Sequence, residues 1–214
     1  MFKLICVTNR RLCREDFSLR LAKIAAAGPD AIILREKDLP AAAYQRLAEQ
    51  ALSICGQYEA PCVLHGFAQQ ALGLGAPRLH LPLPQLARLD EAERRRFACL
   101  GASCHSLADL PAARRLGCHY IIAGHIFATD CKPGRPGRGL AFLREICRAA
   151  GPLPVYAIGG IAPENLLQVR AAGAAGACLM SSLMTCPEPA VLMRHLRDCL
   201  AEKALLNAPK RLKW

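Results

Sequence analysis

The fold class this sequence predicts is a single (β/α)8 TIM barrel, and three observations predict it. Eight short apolar runs alternate with longer stretches of helical spacing along the 214 residues. Strand-then-helix units repeated in this way require parallel strands joined by right-handed crossovers, and eight of them can close on themselves. No linker or shift in composition divides the chain, which sets one barrel domain over 1–203 and leaves a basic tail, 204–214, as a candidate for disorder. An open doubly wound sheet is the alternative. The lack of a GxGxxG fingerprint after the first strand counts against it.

The strands are expected, in order, at KLICVTN, AIILREK, CVLHG, RLHLP, LGASCHS, YIIAGHIF, VYAIGGI and GACLMSS. Helical spacing fills Glu15–Ala27, Ala41–Gln57, Phe67–Leu74, Gln85–Phe97, Leu107–Leu116, Leu140–Ala149, Pro163–Ala172 and Pro187–Lys203. Pro163 marks a helix start, and Gly28, Gly117 and Gly173 stand just past helix ends.

Composition narrows the function classes. The chain is 53% hydrophobic but only 5% aromatic, so its core is built mainly of Ala, Leu, Ile and Val. It has no apolar run of membrane-spanning length. The opening MFKLICVTNRRL reads as a first strand rather than a signal peptide, and a cytoplasmic location is expected. The 12 cysteines include no CxxC pair, and several lie within apolar runs, so they are read as reduced thiols rather than zinc ligands or disulfides. The net charge of +11 is dispersed and carries no basic stripe with interleaved aromatics, which argues against nucleic acid and leaves anionic small molecules as ligands.

Barrel enzymes build their sites at the C-terminal strand ends. Standing there are Arg35 and Lys37 after the second strand, His65 after the third, and Ser103 and His105 after the fifth. His125 ends the sixth and leads into a Gly/Pro/Lys/Arg-rich loop carrying Lys132; Gly159-Gly160 and Ser181-Ser182 follow the seventh and eighth. The glycine pair and the serines suit a phosphate, since the last two loops of this fold often hold one, although a tight turn needing positive φ explains the glycines alone. Arg35 and Lys37, two apart, share one side of an extended chain and suit an anion, unless one pairs with Glu36 or Asp38. Histidine suits proton transfer near neutral pH, and His125 shares a face with Ile121 and Ala123. His80, His119 and His195 are read as core or rim histidines. No His/Asp/Glu cluster has metal-ligand spacing, so no metal and no cofactor are expected.

Together ILREKD, GASCHS, GHIFATDCKPGRPGRG, YAIGGIAPEN and AAGAAGACLMSS resemble the thiamine phosphate synthase superfamily over nearly the whole chain. Two branches share its barrel. The resemblance implies either a synthase that joins a pyrimidine diphosphate to a thiazole phosphate with Mg²⁺, or a metal-independent thiazole tautomerase. Where a synthase has Gln before its REK motif this chain has Ile33, and where it has metal-binding Asp residues this chain has Gly66 and Gln85. GHIFATDCK is similar to the histidine-bearing version of the tautomerase. The tautomerase branch is therefore the expected function, with His125 as acid/base and a phosphorylated thiazole as substrate. Arg35, Lys37 and Lys132 belong to the general superfamily site. The synthase and a non-catalytic thiazole-phosphate-binding protein are the alternatives, and a homodimer without membrane or nucleic-acid partners is expected.

Overall fold

The computed structural model describes residues 1–132 and 134–206, with side chains to 201. Eight parallel strands run in sequence order and close into a barrel: β1 (Lys3–Val7), β2 (Ala31–Leu34), β3 (Cys62–His65), β4 (Arg78–Pro82), β5 (Cys99–Cys104), β6 (Tyr120–Gly124), β7 (Val155–Ile158) and β8 (Gly176–Leu179). Closure comes from β1 pairing with β8, with Lys3 opposite Gly176 and Cys6 opposite Leu179. The tail expected at 204–214 falls largely outside the described residues. The last helix, α10 (Pro189–Leu206), already runs past the predicted boundary at 203.

Alternation along the strands sorts the core into two layers. Ile5, Val7, Ile33, Val63, Tyr120, Ile122 and Cys178 point into the barrel. The intervening residues, such as Leu4, Ile32, Leu64, Ile121 and Ala123, pack outward against the helices. Those helices are α1 (Phe17–Ala26), α2 (Ala41–Gln57), α3 (Ala68–Gly73), α6 (Leu110–Arg115), α7 (Gly139–Ala150), α8 (Pro163–Ala171) and α10, with short pieces α4 (Leu83–Leu86), α5 (Glu91–Arg95) and α9 (Ser181–Thr185) between.

Two expectations change for local reasons. The helix expected over Gln85–Phe97 is two short helices, because Asp90 accepts from the Glu93 backbone N–H at 2.8 Å while the Glu93 side chain accepts from Asp90 N–H. This capping box starts a new helix and ends the old one. Six of the eight strands stop two or three residues early, at Leu34 and Ile158 for instance, so REKD and the Gly159-Gly160 pair are loop, free to face the barrel mouth.

Candidate active site

Polar residues from six strand ends gather around the mouth, and the corner after β2 shows how the sequence arranges them. In REKD the charges alternate. Glu36 turns into the protein, 1% exposed, where it accepts the Thr8 hydroxyl at 2.7 Å, the Arg10 backbone N–H at 3.0 and 3.1 Å and the Arg10 guanidinium at 3.2 Å. Asp38 takes the same guanidinium with both oxygens at 2.6 Å, and Arg11 at 2.9 Å. The Arg10 hydrogen bonds hold the Asp38 carboxyl well below the usual carboxylate range.

With both carboxylates taken by arginines from the loop after β1, Arg35 and Lys37 have no acidic partner among the described residues. Half-burial lowers the Arg35 pKa against the pull of Glu36. Lys37 has an exposed side chain, yet partial desolvation, then the Arg35 and Lys132 charges, hold its pKa below the ordinary lysine value. Lys132 in the loop after β6 is thus near enough to repel Lys37. Three cations converge without compensation, which is the electrostatics of an anion site.

Behind them lies a stack of neutral imidazoles. His65, 4% exposed, has its backbone N–H fixed to the Tyr44 hydroxyl at 2.9 Å, and its Nδ1 has no partner. Burial first, then Arg35 and Lys37, push its pKa down to about 3. Its ring lies 5.3 Å from that of His80, whose Nε2 meets Ser103 Oγ at 2.9 Å and whose Nδ1 meets the Tyr120 hydroxyl at 3.2 Å. His80 is thus a core histidine, as its sequence position suggests, and it stands directly behind the site. Its partners are 23 and 40 residues away, so no local pattern announces them.

The opposite side of the mouth is made of backbone. Phe127 N–H donates to Gly159 O at 3.0 Å and Ile126 N–H to Ile158 O at 2.9 Å, drawing the loop after β6 onto the end of β7. Gly159 (φ +104°) would place a Cβ 2.4 Å from His125 Cβ, and Gly160 (φ +63°) one 2.4 Å from Ala128 O. Both reasons for glycine, positive φ and close approach, apply here. The Gly159 and Gly160 N–H groups have no acceptor among the described residues, and Ser181 and Ser182 open α9 just after β8, the strand paired with β7.

His125 is 8% exposed, and its Nε2 contacts the Arg135 carbonyl at 3.3 Å across the loop. Ile121 and Ala123, its expected face-mates, belong to the helix-facing layer. His105 is exposed on the rim; its backbone N–H donates to Asp109 at 2.6 Å and its carbonyl accepts from Arg138. The structure links Ser103 to His65 through His80 and sets Arg35 and Lys37 close enough to His65 to lower its pKa. Lys132 and His105 are exposed on the rim, with no side-chain hydrogen bond to these residues among the described ones. Sequence reasoning missed Thr8, Arg10, His80 and Tyr120, which fix the others in place. Only the strand alternation that puts His80 and Tyr120 inside the barrel pointed to any of them.

The Mg²⁺ implied by the superfamily resemblance finds no matching donor set. Gly66 and the exposed Gln85 stand where its carboxylates would be, Glu36 and Asp38 are already paired, and no group of three His, Cys, Asp or Glu could hold a metal among the described residues.

The family model for thiamine monophosphate synthase matches residues 4–183. The chain belongs to this family. The thiamine-phosphate synthase of Thermus thermophilus is 35% identical over 182 residues, covering 85% of this chain and 87% of the relative. That of Methanoculleus marisnigri is 35% identical over 94% of this chain and 96% of its own. The thiamine phosphate pyrophosphorylase structure from Pyrococcus furiosus superposes with a TM-score of 0.78 at 26% identity, covering 94% of this chain and 96% of that one.

These relatives overturn the expected tautomerase function. Relatives at 32% to 35% identity carry the name thiamine-phosphate synthase, so the chain's similarity as a whole lies with the synthases. Ile33, Gly66 and Gln85 are local departures. They alter the mouth at three points and do not mark a branch. The chain is a thiamine-biosynthesis barrel of an enzyme family, and no helix among the described residues is long and apolar enough to cross a membrane.

Proposed function

We propose that this chain is a thiamine-phosphate synthase, a transferase that joins a pyrimidine diphosphate to a thiazole phosphate. The observation that carries this reading is the match to synthase relatives across nearly the whole barrel. The geometry supports it in two ways. Arg35, Lys37 and Lys132 form a cationic wall without acidic partners, suited to the more highly charged diphosphate. Across the mouth, the free N–H groups of Gly159 and Gly160, with Ser181 and Ser182, suit the phosphate of the second substrate. Two anion sites on opposite sides hold the two organic rings between them, and fixing both reactants in one orientation supplies much of the advantage in such a coupling. The cations also stabilise the negative charge that develops on the departing diphosphate.

In this reaction the acid/base duty expected of His125 has no step to serve. Its contact with Arg135 O makes it a residue that positions the loop, and hence Lys132. No step is assigned to a metal, because no group of three His, Cys, Asp or Glu that could hold one is found among the described residues.

The test supplies both substrates, with Mg²⁺ present, and follows pyrophosphate release and thiamine phosphate formation. We expect turnover, and a loss of at least about tenfold in kcat/KM for Lys37→Ala with little change in Tm. Thiazole phosphate binding without any pyrophosphate release would overturn the reading in favour of a non-catalytic binding protein.

A further inference from the structure

The end of the barrel away from the mouth holds a second polar centre. A cavity of about 210 Å³ opens there between the first inward-facing residues of the strands. Ile5, Ile33 and Val63 form its apolar side, and Tyr120 and Tyr156 form its aromatic side. The tyrosine rings lie 5.1 Å apart, tilted by 40°. They fit because their neighbours lack side chains: a Cβ on Gly101 would stand 2.1 Å from Tyr120 Cζ, and one on Gly176 would stand 3.0 Å from Tyr156 Cδ1. Small residues, Ala31 and Cys99, leave the remaining volume open.

Charge at this floor does not cancel. Lys3 Nζ is 2.7 Å from Asp30 Oδ1, and the other Asp30 oxygen accepts the Leu4 N–H at 2.8 Å, so that pair is closed. Arg78, half-buried on the cavity wall, has neither an acidic partner nor a hydrogen-bond acceptor for its guanidinium among the described residues. The Tyr156 hydroxyl likewise has no partner. Burial raises the Cys99 thiol pKa against the opposing pull of Arg78, which places the guanidinium beside the cavity.

A planar guanidinium matches a carboxylate in a bidentate pair, and aromatic and branched walls match a hydrocarbon body. A dry cavity of about 150 Å³ suffices for a benzene ring. We propose that this floor cavity is a ligand site in its own right, for a small aromatic or branched carboxylate whose charged end pairs with Arg78 and whose body lies against Tyr120, Tyr156 and Val63. It is separate from the mouth, yet in touch with it. A floor ligand rests on Tyr120, whose hydroxyl reaches His80, and His80 reaches Ser103 at the mouth.

The test is a calorimetric titration of the full chain with benzoate, with benzamide and inorganic phosphate as comparators. Benzoate is expected to bind with a Kd on the order of 1 mM or below, and neither comparator to displace it. Arg78→Gln should weaken binding by about tenfold or more, whereas Lys37→Ala, which changes only the mouth, should leave it unaltered. The proposal is overturned by the absence of benzoate binding, by equal affinity in Arg78→Gln, by loss in Lys37→Ala, or by displacement with phosphate. Should Arg78→Gln fail to fold, magnetisation transfer from benzoate to the Tyr120 and Tyr156 ring protons of the unaltered chain decides the matter. Transfer supports the site; its absence overturns it.

Discussion

The corner after β2 and the corner between β6 and β7 face the same opening but are held by opposite means. At the first, side chains do the holding: Glu36 and Asp38 bind Thr8, Arg10 and Arg11, and in doing so leave Arg35 and Lys37 unpaired. At the second, backbone groups bond to backbone groups, and glycines let the two segments touch. The first arrangement can lose an atom and be graded by what remains. The second has no room to gain one.

The largest effect expected from this contrast is that of Gly159→Ala. A methyl 2.4 Å from His125 Cβ, on a residue at φ +104°, forces backbone apart and should cost more than about 4 kcal/mol, read as a collapse of the denaturant midpoint or failure to fold. Near-native stability would break the comparison at once. Glu36→Ala comes next. It strands the Thr8 hydroxyl and the Arg10 backbone N–H, while Asp38 keeps the Arg10 guanidinium, and should cost about 2–3 kcal/mol in chemical denaturation. A change below about 0.5 kcal/mol would mean that the side-chain corner is ornamental.

A finer effect lies in pH. The folded state holds His65 neutral down to about 3, whereas the unfolded chain takes up its proton near 6.5. Between those values the unfolded state binds more protons, so stability is complete above 6.5 and falls as the solution is acidified toward 3. One such group contributes up to about 1.4 kcal/mol per pH unit inside the window. His65→Asn should flatten that part of the stability-against-pH curve, and an unchanged slope would show that His65 charges freely in the fold. The smallest effect belongs to Arg11→Ala. Its guanidinium side chain is 72% exposed, and its loss should stay within about 0.5 kcal/mol. A larger value would mean that the rim of the ion-pair corner matters as much as its buried centre.

How far these features could be read beforehand follows the range of the interactions. The barrel was legible because strand alternation and helical spacing are local, and the same alternation put Arg35 and Lys37 at the mouth. The strand ends were drawn too long, since REKD and Gly159-Gly160 continue an extended pattern without a neighbour to pair with. His80 is the core histidine its position suggests, but its partners Ser103 and Tyr120 reach it only after the barrel closes. The pairing of Glu36 with Arg10 spans 26 residues and leaves no trace in spacing, and the alternative of a pair between Arg35 or Lys37 and Glu36 or Asp38 does not form. The reaction was misread for another reason. Missing carboxylates report on a few side chains, while the kinship of the chain is spread over its whole length.

The loop after β6 returns to where it began. Arg138 N–H donates to His125 O at 3.0 Å, and Gly139 N–H to Ile126 O at 2.9 Å, so exit and re-entry are stitched to each other before α7 begins. Within the loop, Phe127 N–H is also bonded to Gly159 O and the Arg135 carbonyl meets His125 Nε2, so both of its ends are fixed to the barrel rim. Doubling such a tether costs only about 0.6 kcal/mol in closure entropy. The exposed turn around Asp130 and Cys131 is therefore where added length is least expensive, while the tied ends of the loop keep their place over the barrel.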